Sequence, residues 1–367
     1  MSKTVPSRKP LDRPLKKGWT TGACAAAAAA AAWRALETGV FEKTMSICLP
    51  RGDTPTFTLA TQVISTGFAC AGVIKDAGDD PDVTHGLEII ADVQKGRPGK
   101  GITFAAGEGV GTVTLKGLPL AVGEPAINPG PRGQITDAIN GAASALGLPA
   151  PDVRVTISIP GGREVAKKTM NGRLGIEGGL SVLGTTGIVV PYSCSSWIHA
   201  IHRGVDVSRA QNLNHVLAAT GRTSEHAANA ELNMNPAALI DMGDFAGGLL
   251  KYLRAHPVAH LTIAGGFAKL TKLSQGAMDL HSARSAVDFD HLADLLARSG
   301  VDRDTVNQAR TANTAQHVLE LAGESAPELA HLIARQAREV ALATLAGGTE
   351  VTVWVYDRSG QRVGTST

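Results

Sequence analysis

Gly18-Trp19-Thr20-Thr21-Gly22-Ala23-Cys24, running into eight alanines at 25–32, joins hydroxyl residues and glycine to a tract of minimal side chains. Alanine has the best helix propensity and the smallest useful side chain, so the tract predicts a helix over 22–37 lying close against a sheet or a flat ligand. Thr20 and Thr21 are the residue types that cap the free N–H groups of a helix start, where the positive pole of the helix dipole also sits. An anionic or oxygen-rich ligand suits such an end. A well-capped core helix with no ligand accounts for the same letters, and this short motif alone does not choose between them.

Outward from the tract, the first half alternates little and turns often. Short β-rich runs at 56–64, 87–93 and 111–115, broken by glycine and proline, predict an antiparallel sheet. Helical patterns at 22–37 and 131–146 flank it and a strand returns at 153–159, which makes this half an α+β domain. The second half changes rhythm. Buried-strand patterns at 215–219, 238–240 and 258–264 are each followed by a glycine turn and a helical pattern, the signature of parallel βαβ units. The expectation is a smaller α/β domain with a mainly parallel, Rossmann-like sheet, completed by a helix-rich stretch over 289–345 and a last strand at 350–356. Pro191-Tyr192-Ser193-Cys194-Ser195-Ser196 interrupts the apolar run 187–190, so the change of domain falls between about 190 and 212. The working division is a lead at 1–17, an α+β domain at 18–205 and an α/β domain at 206–367.

Composition bounds the function. A chain of 367 residues fits two domains at roughly 150 residues each. Its net charge of +2 lacks the basic excess of a nucleic-acid binder. Cys24, Cys48, Cys70 and Cys194 are widely spaced with no C-x-x-C pair, which argues against a zinc ribbon or a disulfide framework and points to a reducing cytoplasm. Lys3, Arg8, Lys9, Arg13, Lys16 and Lys17 stand among prolines with no apolar run for a signal peptide, so 1–17 reads as a flexible basic lead. No stretch reaches the roughly 18 to 20 strongly apolar residues of a spanning helix, and neither membrane nor nucleic acid is expected as a partner.

Three loops of the second half carry the strongest chemical signal. Thr220-Gly221-Arg222-Thr223-Ser224-Glu225, Asp241-Met242-Gly243-Asp244-Phe245 and Gly265-Gly266-Phe267-Ala268-Lys269 each follow a strand and open a helix. In open α/β sheets, ligands bind beyond the carboxyl ends of the strands. Gly221 and Gly243 let backbone approach a ligand, and Asp241 or Asp244 can accept hydrogen bonds from two ribose hydroxyls. That is what S-adenosylmethionine requires, with Thr220 and Gly265 completing the pocket. Tight turns and a helix cap explain the same residues one loop at a time; three in succession favour function.

Other clusters stay open on the residues alone. Asp76, Asp79, Asp80 and Asp82 crowd into 75–84, next to His85. Turn chemistry, a general base whose pKa its neighbours raise, and a divalent-metal site all fit, although the spacing lacks the EF-hand register. Gly107-Glu108-Gly109-Val110-Gly111 resembles a dinucleotide fingerprint but precedes a β run, so a bend between strands is expected. His199 and His202 would share a helix face, without an evident third metal ligand. No G-x-S-x-G elbow and no Walker pattern occur.

The opening motif together with Lys75-Asp76-Ala77-Gly78-Asp79-Asp80-Pro81-Asp82-Val83-Thr84, Gly107 to Gly111, Gly123-Glu124-Pro125-Ala126-Ile127-Asn128-Pro129, Asn171-Gly172-Arg173-Leu174-Gly175-Ile176-Glu177-Gly178-Gly179 and Leu183-Gly184-Thr185-Thr186-Gly187 resembles the CbiD family over about residues 15 to 290. The resemblance implies a cobalt-precorrin-5B C1-methyltransferase of cobalamin synthesis, using S-adenosylmethionine as co-substrate and no protein-bound metal. The first domain would face the corrinoid and the second would bind the methyl donor. A macrocycle fringed with carboxylates needs scattered cations and backbone donors. Lys75, Arg132, Arg173, Lys269 and Arg284, with Thr20 and Thr21, are the expected substrate contacts, and Asp79 or Asp80 the proton acceptor. One departure is Gly221-Arg222-Thr223-Ser224, where many relatives have Gly-Asn-x-Gly. The rival reading is a non-catalytic carrier of tetrapyrrole intermediates. A homo-oligomer or a transient contact with neighbouring pathway enzymes stays open.

Overall fold

The alanine tract forms helix Thr21–Thr38 in the computed structural model, which describes residues 13–367. Ala25 to Ala30 and Ala32 are completely buried. The helix lies on strands Phe68–Ile74 and Glu88–Lys95 on one side and on helix Pro129–Ala145 on the other. Only residues without bulk at Cβ let a helix approach two neighbours so closely, which is the physical use of the tract. Gly39, at φ +76°, ends it in the left-handed conformation glycine adopts freely.

That helix belongs to the first of two compact units, which comprises the described residues up to Thr114 together with Pro119–Ser193. Its sheet runs Gln62–Ser65, Phe68–Ile74, Glu88–Lys95, Val153–Ser158, Ile102–Ala106 in space. All pairs are antiparallel except the last. The expected antiparallel sheet is thus corrected at one edge, because the chain between 106 and 153 crosses over through helix Pro129–Ala145 and returns in the same direction. Two further boundaries change. The run at 56–64 splits between Thr56–Thr58, which pairs with Thr44–Ser46, and Gln62–Ser65 of the main sheet. Of 111–115 only Thr112–Val113 is strand, paired with Ile176–Glu177.

Residues 1–12 of the expected lead lie outside the described residues. Arg13 to Lys17 are held in place rather than free: Arg13 pairs with Asp79 at 3.1 Å, and the Lys16 N–H donates to the same carboxylate at 2.6 Å.

The second unit comprises Leu115–Leu118 and Cys194–Thr367. The division expected at 205/206 falls inside helix Cys194–Ala210, whose Ile201 and Val205 are buried in the core of this unit, so the helix goes with the second unit whole. The sheet order is Leu239–Asp241, His215–Ala219, His260–Gly266, Glu350–Tyr356, Arg362–Thr365. The first three pairings are parallel and the last antiparallel. The final strand was not expected; Asp357 accepts hydrogen bonds from the Ser359 and Gln361 N–H groups and turns the chain back. One face buries Val216, Ala218, Ile263, Val351, Val353 and Val355 under most of the helices. The other buries Leu217, Ala219, Ala264 and Tyr356 with Ala228 of helix Arg222–Leu232. Cover on both faces is what a parallel sheet needs. Among the described residues no helix is long and apolar enough to cross a membrane.

Candidate functional site

In the first unit, segments remote in sequence are stitched into one loop assembly at the start of the alanine helix. Trp19 N–H donates to Asp76 O at 2.7 Å, Thr20 N–H to Gly187 O at 2.9 Å and Gly22 N–H to Leu183 O at 2.9 Å. Gly111 N–H reaches Leu180 O, Leu180 N–H reaches Gly109 O, and Ala126 N–H reaches Gly111 O, each at 2.8 Å. Gly109 sits at φ +72° with Ile159 O against the position of a Cβ, so glycine is required for the close approach. The 107–111 segment is a bend between strands Ile102–Ala106 and Thr112–Val113, with no helix after it.

The helix start itself is filled by the chain. Thr20 Oγ1 accepts from Ala23 N–H at 3.2 Å as N-cap. Leu183 O takes the Gly22 donor, and Thr21 is buried. At Gly22 a backbone carbonyl thus stands where an oxygen-rich ligand could have accepted. Burial pushes the thiol of neighbouring Cys24 up to about 12, so it stays protonated.

Lys75, expected as a substrate contact, is only 3% exposed. Its three N–H donors go to Thr21 Oγ1 at 3.2 Å, Thr84 Oγ1 at 2.5 Å and Asp82 Oδ2 at 2.5 Å. Burial alone would raise the Asp82 pKa, but the Lys75 charge and hydrogen bonds from Lys75 and Thr84 outweigh it and hold the carboxyl below its ordinary value. Asp76 is lowered by the Lys16 ammonium and the Gly78 N–H, and Asp79 by the Lys16 N–H and Arg13. The premise that the clustered carboxylates raise one another is therefore corrected for these three: each has its own cation or N–H donor. Asp80 differs in partner, accepting from Tyr192 N–H at 2.8 Å. His85 Nδ1 accepts from Ala77 N–H at 3.0 Å. The cluster is a well-satisfied turn.

The expected cations of this unit differ in setting. Arg132 is partly buried, donating to Ile127 O at 2.8 Å, pairing with Glu124 at 3.2 Å and lying 5.5 Å over the Phe104 ring. Arg173 sits partly exposed in the turn that follows Asn171.

In the second unit, the three strand-to-helix loops meet at the carboxyl edge of the sheet. Thr220 N–H donates to Ala264 O at 2.9 Å, and Gly243 N–H to Ala219 O at 3.1 Å. Lys269 ties all three together, donating to Thr220 O at 2.7 Å and lying 3.1 Å from Asp244 Oδ1. That carboxylate oxygen is buried yet receives no aligned hydrogen bond. Gly221 has open space where a Cβ would stand, as does Gly266. Gly265 does not: its Cβ would meet Thr220 Cγ2 and Oγ1 at 2.9 Å, so glycine is required there for packing. Gly243, at φ +57°, is strained for any other residue. Arg284 is exposed in the turn 281–285. This turn begins just after Leu280, whose N–H donates to Asp244 O at 2.8 Å.

His199 and His202 do share a helix face, with ring centroids 6.2 Å apart. His202 is instead stacked on Tyr252 at 3.9 Å, its Nε2 lies 3.2 Å from Gly248 O, and burial lowers its pKa. No group of three or more potential metal ligands is assembled among the described residues.

Comparison with known proteins bears on the same blocks. The family model described as CbiD matches residues 8–191. The chain belongs to the CbiD family. A second model, CbiD C-terminal domain, matches 279–367, so the family likeness runs past residue 290 to the last strand. Curated relatives from Brucella canis and Brucella suis are each 55% identical over 359 residues, 97% of this chain and 97% of theirs, and one from Brucella anthropi stands at the same values. All three are named cobalt-precorrin-5B C(1)-methyltransferase. A crystal structure of cobalamin biosynthesis protein CbiD from Archaeoglobus fulgidus is 31% identical, covers 74% of this chain and 83% of its own, and has a TM-score of 0.40.

The family blocks quoted above between residues 18 and 187 lie in the first unit. Sequence reasoning missed Leu183 O on the helix start, the open space at Gly266, and Trp197, whose indole N–H donates to Asp241 O at 2.9 Å. None carries a local signal: a carbonyl exists at every residue, and an isolated tryptophan does not announce its partner.

Proposed function

We propose that this chain transfers a methyl group from S-adenosylmethionine to C1 of cobalt-precorrin-5B, giving cobalt-precorrin-6A and S-adenosylhomocysteine. The observation that carries the reading is identity of 55% across 97% of the chain with relatives bearing that name. The site supports it independently. Sheet order places His215–Ala219 between Leu239–Asp241 and His260–Gly266, so the chain leaves the central strand first to one side and later to the other. Such a switch point, in a doubly wound, Rossmann-like arrangement, opens a crevice outside the carboxyl ends of the strands.

The residues there fit a nucleoside donor. Gly221 and Gly266 leave open space beside backbone N–H groups, and the Asp244 carboxylate, ion-paired with Lys269 through Oδ1 but still partly exposed, can accept a hydroxyl. Thr220, Gly221, Asp241, Gly243 and Asp244 would hold the donor; Gly265 and Lys269 support the loops. When bound, the sulfonium supplies an activated methyl whose C–S electron pair returns to sulfur. The macrocycle carbon is the nucleophile, so the chain need not provide one. Its work is to orient two reactants and exclude water, which can contribute on the order of 7 to 11 kcal/mol.

In the first unit, the stitched glycine loops form a rigid platform for the ring, and Arg173 and Arg132 are the proposed carboxylate contacts there. Lys75, Thr20 and Thr21 shape the platform from beneath. Asp80 is the proposed acceptor of the proton lost by the methylated ring; at Asp79 the Lys16 N–H and Arg13 lower the pKa, which makes that carboxylate a weaker base.

The test is transfer of labelled methyl from S-adenosylmethionine to the corrinoid precursor by wild type and by Gly221→Val. Gly221 has φ 171° and free space, so the variant folds. Label on the ring with wild type and at least about tenfold weaker binding of S-adenosylhomocysteine by the variant are expected. No label with wild type refutes the activity; unchanged binding by the variant refutes the location.

A further inference from the structure

Four tryptophans occur in the chain, and three are accounted for by burial or ring contacts. Trp33 is buried at 1% exposure, Trp19 packs edge-on against Phe57 at 5.5 Å, and Trp354 lies beneath the Arg362 guanidinium at 4.5 Å. Trp197 is 46% exposed. Its exposure is not neglect, because its polar edge is anchored. The indole N–H donates at 2.9 Å to Asp241 O, the last carbonyl of strand Leu239–Asp241. The ring also covers the Gly243 turn: a Cβ there would lie 3.2 to 3.3 Å from three indole atoms. Phe245 tilts against it at 6.2 Å and 52°. A large, rigid apolar face is thus fixed at the mouth of the donor loops and left open to solvent, where burying it would be favourable.

We propose that Trp197 is the aromatic wall of the methyl-donor site, holding the 241–245 turn through its N–H and stacking its open face on the purine of the bound nucleoside. The inference rests on the donor site lying at the loops of the second unit. Trp197 is bonded to Asp241 O at the end of the edge strand, so a nucleoside with its ribose at Asp241 and Asp244 and its sulfonium side toward Thr220 and Gly221 would carry its base on the Trp197 side. Stacking of a base on an aromatic side chain is sequence-independent and strong enough to set affinity.

The experiment titrates the full chain with S-adenosylhomocysteine, read by calorimetry and by tryptophan fluorescence. Trp197→Leu removes both ring and N–H, and Trp197→Phe keeps a ring while losing the bond to Asp241. About tenfold or greater weakening is expected for Leu, and a smaller loss for Phe. Wild type should show a saturable fluorescence change that Trp197→Phe lacks, a readout that remains decisive if the Leu variant does not fold. A fluorescence change retained in Trp197→Phe, or equal affinity of both variants and wild type, overturns the proposal. The Gly221→Val variant separates the two levels: if it loses affinity while the Trp197 variants do not, only the wall is wrong, and if none loses affinity, the donor site itself lies elsewhere and the wall falls with it.

Discussion

Lys75 illustrates how a residue's role is set by what meets it. An ammonium with all three donors used inside the protein is a positioning group for Thr21, Thr84 and Asp82, not a hook for a substrate carboxylate. Removing one partner of a buried pair strands the other, so Asp82→Asn should cost about 3 to 5 kcal/mol in urea unfolding at neutral pH. The sign of the pH dependence follows from a carboxyl lowered in the folded state from its ordinary 3.8. Its stabilising contribution is complete above the unfolded value and disappears as pH falls through the lower folded one. The gap between wild type and Asp82→Asn should accordingly be constant from pH 6 to 8 and narrow below about pH 4. As the proposed proton acceptor, Asp80 should be the more sensitive of the two: Asp80→Asn should lower turnover by about 10² to 10⁴-fold, while Asp79→Asn changes it less. Equal turnover for wild type and Asp80→Asn would remove Asp80 from the chemistry.

Among the elements, helix Thr21–Thr38 is the one whose letters and location explain each other. Its completely buried alanines meet a sheet and a second helix, leaving no room for a longer side chain. Ala28→Leu is expected to destabilise by about 1 to 3 kcal/mol through overpacking, measured as a lower urea midpoint at unchanged slope. The strand-to-helix turns give a sharper contrast. Gly265→Ala places a Cβ 2.9 Å from Thr220 and should show a comparable loss, whereas Gly221→Ala meets nothing and should stay within about 0.5 kcal/mol of wild type. Equal effects at the two glycines would mean that the loops pack differently. The strands of both units were legible where apolar runs were bounded by breakers, as at His215–Ala219, and illegible where pairing is made by a turn, as for Arg362–Thr365. Turn chemistry in Asp357 to Gln361 was visible as letters, but a strand of four residues has too little periodicity to stand out.

Over the whole molecule, two units with separate cores divide the labour proposed for them. Saturating S-adenosylhomocysteine, at about 100 times its Kd, should raise stability by about 2.7 kcal/mol, and the gain in amide protection should map to the loops after His215–Ala219, Leu239–Asp241 and His260–Gly266. Protection gained instead around Thr20, Asp79 or Gly109 would place the donor in the first unit. The family blocks, the alanine helix and the three successive glycine loops were determined by the sequence itself, because propensity, periodicity and spacing depend on neighbours along the chain. Which carbonyl fills the helix start, which carboxylate takes Lys75, that Gly265 packs while Gly266 opens, and that Trp197 covers Gly243 were decided only by tertiary structure. A charge, an N–H group or an exposed ring acquires its meaning from its partner in space, and chain closure brings in partners that no local pattern names.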